Sequence, residues 1–500
     1  MFIILLAHTP GNTWTLWIPA RFGFSDATEI FVFCSGFASA LAFGALFVKS
    51  GWAMGAARVA FRVWQVYWAH LSVIFATALL MAAIDASGLG PEGKIYKEWW
   101  PVSGLFEDAG TALLGFFTLT NVPGLFDILP MYLVILALIP LAMTAHRFGG
   151  VPAFLGFVAA LWLAAQLAIW HRAIGGEETH ALGAALAGVG GLFSFLLLPA
   201  NPWGDGVWFF NPFGWQLIFF TGFAFGMGWL PAPPVRRSLV LIAAAYLILS
   251  IPIAYFRILD GSYLPYEWPL RIWLADARDF LSPLIGKSGV GLMRYLHFLA
   301  LAYLAWVAVG TGGARLVSGW RAPGPARAPV LALCGVVALA TLPYAYAEEI
   351  KLLVPALDAA MLSYMEPRGF IPPWQRLGLI QFLHFLALLP LVWWAIGAAW
   401  RARMTRDWFL AAVPVIRKVG TQSLAVFLMS IVLSRFNGFA LDAIGRNVFT
   451  TAAVNLWGFG VLIGTAYLVG WFKAEPWRNA RKPQVNAPHG QKVANPGPAE

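Results

Sequence analysis

Residues 128–170 read ILPMYLVILALIPLAMTAHRFGGVPAFLGFVAALWLAAQLAIW and contain two apolar runs, 128–145 and 151–170, separated by a short loop. A helix needs about 20 predominantly apolar residues to cross a bilayer. This stretch therefore predicts two membrane-spanning helices. The same kind of run recurs along the chain, which predicts an all-α polytopic membrane protein.

Further apolar runs give the other predicted spans. They lie near 29–48, 59–84, 109–120, 182–198, 212–230, 237–256, 290–309, 328–346, 377–398, 419–436 and 452–472. The run 109–120 is short enough to be re-entrant, so we expect about ten to thirteen spans. No polar stretch is long enough for a soluble domain. We expect one membrane domain over 1–472 and a disordered, basic cytoplasmic tail over 473–500.

Composition supports this class of protein. Apolar residues make up 60% of the chain and charged residues 11%, whereas soluble proteins run about 45–50% and about 25%. The net charge of +10 resides mostly in short loops between apolar runs, as the positive-inside rule describes. It therefore favours the lipid bilayer as partner and argues against nucleic acid. Cys34 and Cys334 both lie in apolar runs and offer no disulfide or metal framework.

Loop charges predict the orientation. Basic residues surround several runs and should be cytoplasmic: Lys49, Arg58, Arg62, Arg315, Arg321, Arg327, Arg401, Arg403, Arg406, Arg417 and Lys418. The segment 87–108 carries four acidic residues against two lysines and should be external.

Two acidic residues begin a membrane helix in FGFSDATEIFVFCSGF (22–37). Ser25 or Asp26 could cap that helix, and Glu29 would then be a first-turn acid that the helix dipole favours. Alternatively, either carboxylate lies beside His8, across one short loop, and raises the basicity of its imidazole.

A second polar set lies in RVAFRVWQVYWAHL (58–71). Arg58 and Arg62 are either cytoplasmic anchors that extend to the interface or charges that hold a ligand. Tyr67 and His70 lie deeper, where a histidine is either a helix–helix hydrogen-bond partner or a functional group.

Two further stretches combine aromatic, amide and cationic side chains. In VWFFNPFGWQ (207–216), the rings of an interfacial belt could also cradle a sugar, with Trp208, Asn211 and Gln216 contacting it. In LSPLIGKSGVGLMRYLHFLALAYL (281–304), Lys287 and Arg294 are interface anchors or an anion site, and His297 follows one turn later.

Six motifs in this order resemble the OpgC family of the membrane acyltransferase-3 group, over about residues 1–310 and 415–472. They are HTPGN, FGFSDATEIFVFCSGF, RVWQVYWAHL, WFFNPFGWQL, SPLIGKSGVGLMRYLHFLALAYL and GTQSLAVF. The resemblance implies an enzyme of the bacterial inner membrane. It implies transfer of a succinyl group from succinyl-CoA, a co-substrate rather than a bound cofactor, to osmoregulated periplasmic glucans. Region 311–375 has no counterpart in this comparison.

The resemblance also suggests roles for the residues. His8 matches the signature histidine, and its basic partner would fall three positions before Met1, so we expect that the chain begins inside a helix. His8 would be the general base, oriented by Asp26 or Glu29. Four cations would bind the acyl-CoA: Arg58, Arg62, Lys287 and Arg294. Six residues would contact the glucan: Tyr67, His70, Trp208, Asn211, Gln216 and His297. No metal is expected.

A transporter or flippase for a glycan or other amphiphile is the alternative. GLMRYLHFL (291–299) and GLIQFLHFL (378–386) are either a weak internal repeat of the kind transporters contain or a coincidence between two Leu- and Phe-rich helices. Turnover of acyl-CoA with an added glucan distinguishes the two functions.

Overall fold

The computed structural model describes residues 1–174, 188–201, 203–260, 264–345 and 379–479. These residues form helices and connecting loops, and their only β-type pairing is one bridge between Pro199 and Val207. The predicted all-α class is confirmed for this part of the chain. The predicted disordered tail lies outside the described residues from 480 onward, as does the unplaced region from 346 onward.

Nine helices of the N-terminal half lie wholly within the described ranges. They are α1 (Phe2–His8), α2 (Ala27–Ser39), α3 (Ala45–Ser50), α4 (Trp52–Ser87), α5 (Trp100–Glu107), α6 (Ala109–Thr118), α7 (Ile128–Ala137), α8 (Ile139–Ile174) and α9 (Pro212–Gly226). A π-helical turn, Ala40–Gly44, joins α2 to α3.

Twelve helices follow within the described residues of the C-terminal half. They are α10 (Arg237–Ala254), α11 (Phe256–Leu259), α12 (Pro269–Ile285), α13 (Leu292–Val309), α14 (Ala314–Ser318), α15 (Ala328–Ala345), α16 (Leu379–Ala395), α17 (Gly397–Ala402), α18 (Phe409–Thr421), α19 (Ser423–Ile444), α20 (Val448–Lys473) and α21 (Pro476–Asn479).

Helices long enough to span a membrane occur in both halves of the described chain. Seven in the described ranges are long and apolar enough, or eight if the pair Leu383–Ala395 and Gly397–Thr421, bent by 107°, counts as one span, and Ile128–Ala173 is counted once. Two of the expected spans are shorter helices, since α6 has only 10 residues and α9 only 15. The predicted span 182–198 does not continue as a helix, because Ser194–Leu196 is a single 3₁₀ turn; residues 182–187 lie outside the described ranges.

The two runs within 128–170 form one antiparallel pair. The continuous stretch Ile128–Ala173 has 46 residues, or about 69 Å of helix, about twice the thickness of a bilayer core. Gly149 and Gly150 break it, and Gly150 has φ +62°. His146 and Phe154, on either side of the break, both pack on the Trp229 ring, with centroids 3.8 and 4.9 Å away. The chain therefore reverses at the two glycines, as the two runs predicted.

Helices α2 and α9 cross closely at the centre of the bundle. A Cβ on Gly36 would overlap the backbone carbonyl of Phe219, and a Cβ on Gly222 would overlap that of Phe33. Small residues at a crossing allow two membrane helices to pack backbone against backbone. This contact fixes the start of α2 relative to the start of α9.

The bundle has two chemically different ends. We call the end where α2 begins, with Asp26 and the loop Gly286–Gly291, the Asp26 end. We call the other the Arg62 end, where α4 begins after Gly51. The intervening helical stretch Ala27–Ser50 has 24 residues, so the two ends lie roughly 36 Å apart.

Helices α15 and α16 form a hairpin at the edge of the bundle. They pack mainly on each other, and Thr341 Oγ1 lies 2.9 Å from His384 Nδ1. This contact gives a hydrogen-bond partner to the buried histidine of GLIQFLHFL (378–386).

Candidate functional site

The start of α2 is built by a capping box. The Asp26 carboxylate accepts a hydrogen bond from the Thr28 amide at 2.7 Å, and Glu29 accepts one from the Asp26 amide at 2.7 Å. This arrangement satisfies amides that the first turn of a helix leaves unpaired. The capping interpretation of Asp26 is therefore confirmed.

Both carboxylates also form ion pairs with α13 and the loop before it. Lys287 Nζ donates to Asp26 Oδ2 at 2.6 Å, and Arg294 Nη1 donates to Glu29 Oε1 at 2.7 Å. The Glu29 side chain is fully buried, whereas that of Lys287 is 29% exposed. Burial alone would raise the pKa of Asp26, but Lys287 and Thr28 outweigh it and hold that pKa well below its usual range.

The loop that carries Lys287 is held by four consecutive carbonyls. Those of residues 287, 288, 289 and 290 each accept a hydrogen bond from another segment of the chain. The donors, in that order, are Trp215 Nε1 at 3.0 Å, the Asn211 amide at 2.9 Å, Gln166 Nε2 at 2.5 Å and Trp162 Nε1 at 2.9 Å. Helices α8 and α9 therefore fix the backbone of the loop that carries Lys287, and Asp26 holds its ammonium.

His8 closes α1 at the same end of the bundle. Its side chain is half-buried, and Nδ1 has no hydrogen-bond partner among the described residues. The Arg435 guanidinium, from α19, donates to the His8 carbonyl. Burial, helped by the charges of Arg435 and Lys287, lowers the pKa of His8 to about 4. The imidazole is therefore neutral at pH 7 and able to accept a proton.

Neither carboxylate hydrogen-bonds to His8. Asp26 acts on His8 through its charge, which raises the histidine pKa against the lowering by Lys287, while its oxygens bond to Lys287 and Thr28. The predicted direct orientation of His8 by Asp26 or Glu29 is therefore corrected to an electrostatic effect.

Asp127 adds a further carboxyl group at this end. It precedes α7 and is only 5% exposed. Burial raises the pKa of Asp127 to about 7, although Lys287 lowers it.

His297 is held against the segment that precedes α2. Ser25 Oγ lies 2.7 Å from His297 Nδ1, and a Cβ on Gly23 would overlap the Nε2 side of the same ring. His297 is 6% exposed. It therefore joins α13 to the start of α2 and is not open to a glucan in this structure.

Two of the four predicted acyl-CoA ligands lie apart from the other two. Lys287 and Arg294 pair with carboxylates at the Asp26 end, whereas Arg58 and Arg62 lie at the Arg62 end. The spacing of charges along the sequence cannot show this, because the pairs join residues that are 261 and 265 positions apart.

The predicted aromatic cradle is an internal packing element. Asn211 caps α9 by accepting from the Phe213 and Gly214 amides, and its own amide donates to the Leu196 carbonyl. Gln216 donates to the Val158 carbonyl, and Trp208 is 6% exposed. The structure thus shows no open sugar platform made by these three residues.

The polar residues of α4 separate into different environments. Arg58 is exposed beside the Phe61 ring, and Arg62 Nη1 donates to Gln65 Oε1 at 3.2 Å. Tyr67 donates to the Phe117 carbonyl at 2.7 Å. His70 is fully buried, and neither ring nitrogen has a hydrogen-bond partner among the described residues.

A cavity of about 390 Å³ lies at the Arg62 end, among α4, α19 and α20. Arg62 and Gln65 line it together with Gln422, Leu428 and Lys473. Lys473 Nζ donates to Gln422 Oε1 at 2.7 Å. Of the four predicted acyl-CoA ligands, Arg62 is the one that lines this cavity.

Sequence reasoning missed Arg435 and the donors that hold the loop. Arg435 follows an apolar run in LMSIVLSRFNGF (428–439), and an ionisable residue inside a membrane segment signals a site by itself. Trp162 and Gln166 gave no comparable signal, because the carbonyls that they bind are more than 120 positions away.

The family described as OpgC protein matches residues 1–324 and 313–474. The chain belongs to the OpgC family. The match extends through the region 311–375 that the motifs left unplaced. No curated protein and no solved structure matches the chain.

The OpgC family is associated with acyltransferase activity. Together with the apolar helices, membership makes this chain a multi-pass membrane protein of an acyltransferase family. The acyltransferase assignment thus rests on the family, and the structure adds the positions of the residues.

Proposed function

We propose that this OpgC-family chain is an O-acyltransferase of the bacterial inner membrane. It transfers a succinyl group from succinyl-CoA to hydroxyl groups of a periplasmic glucan. The observation that carries the proposal is His8, a neutral, half-buried imidazole whose Nδ1 has no hydrogen-bond partner among the residues that the structure describes, placed within the electrostatic reach of Arg435, Lys287 and Asp26.

This acyl transfer requires a correctly positioned general base. The His8 imidazole removes the proton from a glucan hydroxyl as its oxygen attacks the thioester carbonyl. The C–S bond then breaks, the new ester forms on the glucan, and the His8 proton passes to the departing CoA thiolate. Lys287, which is partly exposed, supplies a positive charge for the free carboxylate of the succinyl group.

The two ends of the bundle suit substrates that arrive from opposite sides. The segment 87–108 lies at the Asp26 end, where Lys94 and Tyr96 bind Asp442. Basic loops lie at the Arg62 end. By the positive-inside rule, the glucan reaches His8 from the periplasm, and the acyl-CoA enters from the cytoplasm past Arg62.

The test uses the full chain in lipid nanodiscs with succinyl-CoA and a periplasmic glucan. Mass spectrometry should show glucan heavier by succinyl groups, with one CoA thiol released per ester formed. His8→Ala should lose about 10²–10⁴ in rate at unchanged abundance. His146→Tyr, which changes a stacked histidine at the Arg62 end, should keep the parental rate.

Two results would contradict the proposal. One is glucan transport across proteoliposomes without ester formation, which would favour the transporter. The other is a correctly folded His8→Ala protein whose rate stays within about threefold of the parent, far from the loss expected for a base.

A further inference from the structure

The cavity at the Arg62 end contains two cations and, among the described residues, no carboxylate that pairs with them. Arg62 and Lys473 both line it, and no acidic residue does. Neither cation forms an ion pair among those residues, and each contacts only a glutamine oxygen. Such cations remain available for an external anion, and phosphate groups are well suited to bind them.

The cavity is formed by parts of the chain that are distant in sequence. Arg62 and Gln65 come from α4, Gln422 precedes α19, and Lys473 ends α20. A volume of about 390 Å³ is within the usual range of small-ligand sites. The site therefore depends on the fold, unlike a run of basic residues on one loop.

Helix α19 connects this cavity to the catalytic histidine. Leu424 and Leu428 line the cavity, and Arg435, seven residues further along, donates to the His8 carbonyl. These three positions share one helical face. From Gln422 to Arg435 the helix rises about 20 Å, which is comparable with the reach of an extended phosphopantetheine arm.

We infer that this cavity binds the phosphorylated nucleotide of the acyl donor through Arg62 and Lys473, and that the pantetheine arm follows α19 to His8. Gln65 and Gln422 hold the two cations in place. The leucine face of α19 contacts the apolar part of the arm. The inference rests on the proposed function, because it names the place where the donor of that reaction binds.

The test measures binding directly, without turnover. Desulfo-CoA is titrated into the full chain in nanodiscs and followed by calorimetry. Arg62→Gln and Lys473→Gln should each weaken its affinity about tenfold or more, the loss expected for one charge-assisted hydrogen bond. Arg62→Lys and Lys473→Arg should keep most of the affinity. Arg417→Gln is the matched control, because it removes an exposed cation of α18 that does not line the cavity.

A second variant tests the path of the arm. Leu428→Trp should block the α19 face, so 3′-phospho-ADP should bind with the parental affinity while desulfo-CoA binds more weakly. Unchanged melting temperature and elution volume establish that each variant is folded.

The outcomes separate this inference from the proposed function. If the cavity variants bind desulfo-CoA like the parent, or no more weakly than Arg417→Gln, the cavity is not the donor site, although succinyl transfer can still be present. If anionic lipid vesicles, but not desulfo-CoA, bind in a manner that depends on Arg62 and Lys473, the site belongs to a lipid headgroup and the inference is wrong. If the parent neither binds desulfo-CoA nor transfers a succinyl group, the proposed function fails as well.

Discussion

Glu29 and Arg294 form a hydrogen-bonded ion pair of 2.7 Å in which the carboxylate side chain is fully buried and the arginine side chain is 13% exposed. The other Glu29 oxygen accepts from the Asp26 amide, and Arg294 Nε donates to the Ile285 carbonyl at 3.0 Å. The pair thus joins the capping box of α2 to the end of α12 and the start of α13.

Removal of one partner should therefore destabilise the protein strongly. We expect Arg294→Ala to cost about 3–5 kcal/mol, because it leaves a buried carboxylate without its counter-charge. The double variant Glu29→Gln with Arg294→Gln should cost less, because no unpaired charge remains. Thermal melting in nanodiscs measures both. Equal losses in the single and double variants would show that the charges themselves are unimportant.

The pH dependence of the reaction should reflect the low pKa of His8. Because the base must be neutral, kcat/KM should rise with pH through about 4 and reach its plateau below pH 6.5, the ordinary pKa of histidine. Lys287→Gln removes a positive charge and leaves the Asp26 charge unpaired, so both effects should move this limb to higher pH. Asp26→Asn should move it to lower pH. An acid limb at pH 6.5 in the parent protein would contradict the assignment.

The hydrogen bond from Gln166 to the Gly289 carbonyl should affect activity indirectly, through the loop that carries Lys287. Gln166→Leu leaves a buried carbonyl without its donor, which costs about 1–3 kcal/mol and releases the loop that holds Lys287. We expect a lower melting temperature and a raised KM for succinyl-CoA. Ser72→Ala, which removes only a hydroxyl bond to its own helix, serves as the control. A Gln166→Leu protein with parental KM would show that the loop keeps its position without this bond.

Gly23 should tolerate no side chain, because a Cβ there would overlap the His297 ring. We expect Gly23→Ala to reduce the amount of folded protein, measured by fluorescence-detected gel filtration. Gly124→Ala, where a Cβ meets open space, should behave like the parent. Adding His297→Ala to Gly23→Ala should restore folding, since it removes the ring. If folding is not restored, the overlap with the His297 ring is not the cause of the loss in Gly23→Ala.

Sequence patterns predict the helical class and the reversal near Gly149, because both depend on local runs of apolar residues. They also predict the cap at Asp26, which depends on residues three positions apart. The number of spans is less predictable, since short apolar helices such as α6 and α9 have the composition of a span without its length.

The partners of the polar residues are not predictable from local pattern. Lys287 and Arg294 look like an anion site in sequence, yet their carboxylates lie at the start of α2, more than 260 positions away. In sequence, Asn211 and Gln216 resemble sugar ligands, because sugar sites combine amide side chains with aromatic rings. Their hydrogen bonds to backbone carbonyls become apparent only when α8 and α9 are packed.

The loop Gly286–Gly291 contains three glycines and a valine at φ +58°, a composition that gives an isolated segment great conformational freedom. Here its carbonyls are held by hydrogen bonds from α8 and α9, so the loop loses its conformational entropy when the protein folds. A substrate carboxylate that meets Lys287 therefore needs no further ordering of this loop, and the binding free energy remains available for alignment of the reacting groups.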